Sequence, residues 1–199
     1  MTTPPPIRAP KPTPLSGEEV VAGTDATVVD FWRFALSNLR MNNARGYLAE
    51  FLVAKAVGPA GLRIEWDPYD VLAPDGTTIE VKTSAYLQAW DQYKLSMIQF
   101  TGLRSRIWTT EGGLTPTPTY NADVYVFAIQ TARTHKEYNP LLASQWRFYV
   151  LPRQTVEDLG QDSIGLATLE RLAGPSIAYE ELSDSINAAA RKDRKNPQH

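Results

Sequence analysis

The stretch Ala73-Pro74-Asp75-Gly76-Thr77 constrains the fold more tightly than any other part of this chain. Proline presets the backbone of the first turn position, and glycine takes the left-handed position that closes a three-residue hairpin loop. Such a loop pairs Ala73 with Thr77. Counting outward, Leu72 faces Thr78, Val71 faces Ile79 and Asp70 faces Glu80. Because side chains alternate across a sheet, Asp70, Glu80 and Lys82 share one face, while Val71, Ile79 and Val81 turn to the other and can join a core.

Directly opposed residues have β-carbons roughly 4.5–5.5 Å apart, and two carboxylates at that distance repel unless something positive stands between them. A divalent cation resolves the conflict. The chain has no cysteine, which excludes thiolate sites, and only two histidines, His135 and His199, which nearly excludes a site made of imidazoles. The metal expected is hard and oxygen-bound, Mg2+ or Mn2+, which needs only one or two carboxylates alongside water and phosphate. Lys82 lies two residues beyond Glu80, where its ammonium can reach an attacking water or a phosphate. Glu50 is the only acid in Tyr47-Leu-Ala-Glu-Phe-Leu-Val-Ala. If its helical face lies against the hairpin, it can join the site; if it points outward, it is an ordinary surface acid. The plainer reading of the hairpin is a solvated Glu80 and Lys82 pair on an edge strand, with Asp70 merely near a turn.

The 199 residues, 43% of them hydrophobic, suffice for one substantial core and suggest a single domain over residues 17–190. Residues 1–16 hold six prolines and few large apolar side chains, which predicts a disordered tail; residues 191–199 predict a charged, fraying one. No stretch approaches the roughly 18 apolar residues of a membrane helix, and no secretory signal is visible, so a soluble, cytoplasmic protein without a membrane partner is expected. The formal charge of −2 does not advertise a nucleic-acid partner.

Thr24 and Asp25 predict the start of an amphipathic helix carrying Val28, Trp32, Ala35, Leu36 and Leu39 on one face. Asn42 and Asn43 can cap a second helix from about Ala44 to Val57, ended by Gly58 and Pro59. Strands are expected near 62–66, 69–73, 77–83, 95–100, 123–129 and 146–151, with the Asp123 strand apolar enough to be covered on both faces. Further helices are expected at 153–159, 166–173 and 178–190. Arg104 to Tyr120 reads as a long loop, and no internal repeat is visible. Helices before, between and after strands predict a mixed α/β sheet with helices packed on it.

The hairpin and its preceding helix resemble the PD-(D/E)xK nuclease superfamily, which has the restriction-endonuclease-like fold. Asp70 matches the first acid, Glu80-Val81-Lys82 the second motif, and Glu50 the helical acid many members place before the hairpin. The likeness spans about Asn42 to Ile129. One departure is that Tyr69 separates Pro68 from Asp70, where the superfamily's proline often directly precedes the acid. The resemblance implies a mixed central sheet flanked by helices and magnesium-dependent hydrolysis of a nucleic-acid backbone, DNA rather than RNA, leaving a 5′-phosphate. It implies Asp70 and Glu80 as metal ligands, Lys82 as the water-orienting or phosphate-stabilising group, and Glu50 as an accessory ligand. The likeness extends to bacterial restriction-type proteins, hence a type II restriction endonuclease or related defence nuclease, for which a homodimer is expected because palindromic sites mirror two-fold symmetry.

Three further residues are candidate substrate contacts. Gln88 follows the motif strand, Arg45 stands near the start of the second helix, and Lys94 lies in a locally basic stretch with Arg104 and Arg106. Each has a plain alternative as a structural or solvated side chain. Trp90, Tyr93 and Trp108 are expected in core or interface rather than against bases, and His135 sits in a polar loop without a constellation. The competing functional class is a catalytically inactive nucleic-acid-binding or scaffold protein that keeps the nuclease fold.

Overall fold

A computed structural model of the chain describes residues 7, 10, 12–58, 61–63, 65–109 and 113–194. Two helices lead, α1 (Val28–Leu36) and α2 (Asn42–Val57), followed by strands β1 (Val71–Leu72), β2 (Thr78–Ala85), β3 (Gln99–Thr101), β4 (Trp108–Thr109), β5 (Gly113–Leu114), β6 (Val124–Gln130) and β7 (Trp146–Pro152). The chain then adds α3 (Arg153–Leu159), β8 (Ser163–Gly165), α4 (Leu166–Ala173) and α5 (Leu182–Arg194).

The central sheet has the order β1-β2-β6-β7, with β2 and β6 parallel and the outer pairs antiparallel. It separates two cores. Ile79, Val81, Val126 and Phe148 pack against α2 and α5 on one face, while Tyr125, Phe127, Tyr149 and Leu151 pack against β3, β8, α3 and α4 on the other. All seven residues of β6 are buried, as the apolar run beginning at Asp123 predicts for a strand covered on both faces. The architecture is a mixed α/β fold with helices flanking a central mixed sheet, consistent with a restriction-endonuclease-like fold.

The hairpin turn forms as its residues dictate. The Ala73 N–H donates to Thr77 O at 2.9 Å, Gly76 takes φ +87°, and the pairs Val71↔Ile79 and Leu72↔Thr78 fall in the expected register. A parallel pair has no turn to set its register, and here a side chain does that work. The Asp123 carboxylate accepts from both the N–H and the hydroxyl of Thr78 at 2.9 Å, and its other oxygen accepts from Arg153 at 3.1 Å. Arg153 also donates to Asp193 on α5, so one aspartate ties the start of β2 to β6, α3 and the last helix.

Several expectations need correction. No strand forms at 62–66: Leu62 and Arg63 lack regular structure, Ile64 is outside the described residues, and Glu65 and Trp66 lie in a turn. The 69–73 strand shrinks to Val71–Leu72, and the 95–100 strand becomes Gln99–Thr101, which pairs with β8 rather than extending the main sheet. The loop from Arg104 to Tyr120 contains β4 and β5, paired across residues 110–112, which are outside the described set.

The helix boundaries also shift. Helix α1 starts later than Thr24 and Asp25 suggest, because the Asp30 carboxylate accepts from both the N–H and the hydroxyl of Thr27 and so fixes the N-cap there, and it ends before Leu39. Asn42 and Asn43 do not cap α2 but begin it, after Met41, and Asn42 turns its side chain to Arg45. Residues 191–194 continue α5 instead of fraying, and Tyr179–Glu181 precede it as a 3-10 turn. Helices α3 and α4 have the expected bounds. Most of the expected 1–16 tail, and residues 195–199, lie outside the described residues.

Candidate active site

Glu80 and Lys82 emerge from β2, which has neighbours on both sides, so they are not on an edge strand as the plainer reading supposed. Their side chains are mostly buried, and they form an ion pair at 2.6 Å. Asp70 stands just before β1, with its N–H donating to Ile79 O at 3.0 Å. Its carboxylate folds across to accept the Val81 N–H at 2.8 Å. That hydrogen bond anchors one acid to the backbone between the other acid and the lysine.

Burial pushes the Asp70 carboxyl up, against the pull of the Val81 N–H, Lys82 and Arg63. Burial likewise raises Glu80, with the Asp70 charge adding to it and Lys82 opposing it. Each acid keeps an oxygen outside this network. Among the described residues, nothing donates to Asp70 Oδ1 or to Glu80 Oε2.

Glu50 projects from α2 toward the same acids. Desolvation by burial, then the Asp70 charge, push its carboxyl up to about 7, with Arg63 opposing and Glu80 adding a smaller rise. Its partner is Arg63, whose Nε donates to Glu50 Oε2 at 2.5 Å while the guanidinium stacks over Tyr47, 4.9 Å from the ring centroid. A cavity of about 380 Å³ opens here between Tyr47, Glu50, Arg63, Tyr69 and Asp70. Glu80 and Lys82 do not line it and sit beside it on β2.

Two contributors escape a reading by motif. Arg63 lies where a strand was expected, and its approach to Glu50 is a contact across thirteen positions of sequence. Gly102, at φ +68°, stands beside Lys82, where a β-carbon would sit at an ordinary contact distance of 3.9 Å from the ammonium. A glycine between Thr101 and Leu103 carries no sequence signal of that kind.

The candidate substrate contacts divide. Gln88 does not reach the acids; its side chain donates to Ala85 O and Ser96 Oγ and accepts from Arg45. Arg45 is buried beside it, at the far end of β2. Lys94 is exposed, as is Arg106, while Arg104 packs over Tyr120 and pairs with Asp162 at 3.8 Å. Trp90, Tyr93 and Trp108, expected in a core or interface, are exposed and so take no part in either core.

Among the described residues, no three or more Asp, Glu or His side chains are arranged as a ready-made metal site, and no helix is long and apolar enough to cross a membrane. The donor set fits a hard cation nonetheless. Asp70 and Glu80 offer one uncommitted oxygen each, and magnesium needs one or two carboxylates, completing its shell with water and phosphate.

A mixed sheet thus presents two acids and a lysine beside a helical acid. The class of the protein, a nuclease, follows from comparison with known families. The sequence model of the bacteriophage T4 endonuclease IV family matches residues 35–167, and the chain belongs to that family. The match covers α2, the hairpin, β6 and β7. No curated protein shows significant sequence similarity to the chain.

Proposed function

We propose that this chain is a divalent-metal-dependent endonuclease hydrolysing DNA phosphodiester bonds, with Asp70, Glu80 and Lys82 at its centre. Membership of an endonuclease family supports the reaction class, and the arrangement of Asp70, Glu80 and Lys82 carries the proposal for the site. Asp70 and Glu80 are the groups that would hold Mg2+ or Mn2+, with Glu50 as an accessory ligand once Arg63 gives it up. When bound, the metal supplies Lewis-acid stabilisation of the phosphoryl oxygens and lowers the pKa of a coordinated water.

The chain's own residues do the rest. Val81 N–H holds the Asp70 carboxylate through Oδ2, which leaves Oδ1 uncommitted. Lys82 balances the Glu80 charge in the resting state and is within reach to orient a water or neutralise a phosphate oxygen. The resemblance to PD-(D/E)xK nucleases supports this division of roles and a place in restriction or another defence against foreign DNA. A homodimer belongs to that part of the proposal.

The test is plasmid cleavage with and without magnesium, with calorimetry of divalent-ion binding on the same preparations. Magnesium-dependent cutting by the wild type, lost in Glu80→Ala and Lys82→Ala, supports the enzyme. Intact DNA under all conditions, with no ion binding, indicates instead a scaffold that keeps the fold without its chemistry.

A further inference from the structure

Beyond the acids, β2 runs to a second polar cavity of about 350 Å³, between the start of α2 and the segment after the strand. Arg45 is its most unusual wall, a side chain only 4% exposed. Its guanidinium donates to Arg40 O at 3.0 Å, Leu87 O at 3.4 Å, Asn42 Oδ1 at 2.6 Å and Gln88 Oε1 at 3.3 Å, all neutral acceptors. Among the described residues no carboxylate pairs with it, and its Nε–H has no acceptor. A buried charge without a counter-charge is costly unless another ion completes the site.

The surroundings add to the imbalance. Arg45 sits in the first turn or so of a 16-residue helix whose N-terminus carries partial positive charge, and no acid lies in that first turn to offset it. The other polar walls, among them Thr83, Ser84, Ser96 and Gln99, are hydroxyls and amides, and no acid lines the cavity. Trp90 stands at its edge, 59% exposed.

We propose that this cavity is an anion site for a backbone phosphate of the DNA strand, with Arg45 as its buried charge and Trp90 as a flat face for an adjacent base. The proposal rests on the nuclease reading and adds where the substrate strand runs. Ser84 lies two residues beyond Lys82 and four beyond Glu80, about 7 and 13 Å along a strand. Charges on one strand of a duplex are spaced about 3.4 Å along its axis, which places the held phosphate roughly two to four nucleotides from the cut.

The experiment measures binding without catalysis: fluorescence anisotropy of a labelled oligonucleotide duplex in excess chelator, across a salt series, for wild type, Arg45→Gln and Gln99→Glu. Gln99 is exposed at the cavity wall, and Gln99→Glu places a carboxylate there with no change in shape and with Arg45 intact, so it remains informative if Arg45→Gln fails to fold. The expected result is about tenfold weaker binding at low salt, and a salt slope reduced by about 0.9, the value for one phosphate contact on duplex DNA. Wild-type affinity and slope in Gln99→Glu would overturn the site.

A parallel titration with inorganic phosphate separates the two sources of this chemistry. Stabilisation by free phosphate that Gln99→Glu abolishes, with the oligonucleotide slope unchanged, assigns the cavity to a free anion and overturns the strand path. If Gln99→Glu is silent while Glu80→Ala still abolishes cleavage, the cavity fails and the nuclease stands. If DNA binds in an Arg45-dependent way but is never cut, the cavity stands and the nuclease fails.

Discussion

The two ends of strand β2 carry opposite electrostatic problems. Near its start, Glu80 lies beside Asp70 and near Glu50, three acids whose carboxyls are all pushed up by burial, with the Asp70 charge adding to the rise at Glu50 and Glu80. Near its end, Arg45 is buried with only neutral acceptors. One end holds three acids against two cations, Lys82 and Arg63, and the other holds a cation with no carboxylate paired to it among the described residues. A phosphodiester strand accompanied by a divalent metal supplies a cation to the first and an anion to the second, so a single eight-residue strand can position both groups relative to each other.

Breaking the acidic end should have the largest effect. Lys82→Ala removes the only cation paired with Glu80 among the described residues, and its cleavage rate with saturating magnesium is expected to fall by about 10²- to 10³-fold, the size of losing one preorganised charge stabiliser. Single-turnover kinetics check this, and an unchanged rate would remove Lys82 from the chemistry. In the same variant, duplex binding in chelator should keep most of its salt dependence, because the phosphate held at the other end is untouched.

A smaller effect sharpens the contrast from the metal side. Magnesium should raise the melting temperature at pH 8 more than at pH 5, since a cation competes with protons for carboxyls whose pKa is raised. Asp70→Asn should erase most of that gain, as read by differential scanning fluorimetry. An equal gain in wild type and variant would place the bound ion elsewhere.

The smallest expected effect is on stability alone. Glu50 titrates at about 7 when folded against an ordinary 4.5, so between those values the folded chain holds a proton that the unfolded chain has lost. The associated stability is full below about pH 4.5 and is lost as pH rises through about 7. Glu50→Gln should therefore lose less stability than wild type between pH 5 and pH 8 in chelator, measured by urea denaturation. Parallel pH profiles for the two proteins would mean that Arg63 already holds Glu50 ionised.

What could be read from the sequence was local. The hairpin register followed from a five-residue turn, and with it the shared face of Asp70, Glu80 and Lys82. Helix α1 shows the limit of periodicity. Its apolar spacing correctly announced a helix, but none of its residues is buried and Phe34 is 91% exposed, because a period reports conformation and not what the face meets. Helix α2 has a less segregated surface yet packs Ala49 and Val53 into the core and aims Glu50 at the acids. The pairing of β3 with β8, the reach of Arg63 to Glu50 and the burial of Arg45 all depend on contacts between segments distant in sequence. No spacing rule specifies such contacts.

The Asp123 clamp has a consequence for anyone ranking residues by loss of activity. Sliding β2 by one position against β6 would turn Glu80 and Lys82 into the α2-facing core. The bonds from Thr78 and Arg153 to one carboxylate oppose that slip at the point where no connecting turn can. A mutational scan would therefore group Asp123 with the acids proposed to be catalytic, although its job is indexing: it sets which way Glu80 and Lys82 look.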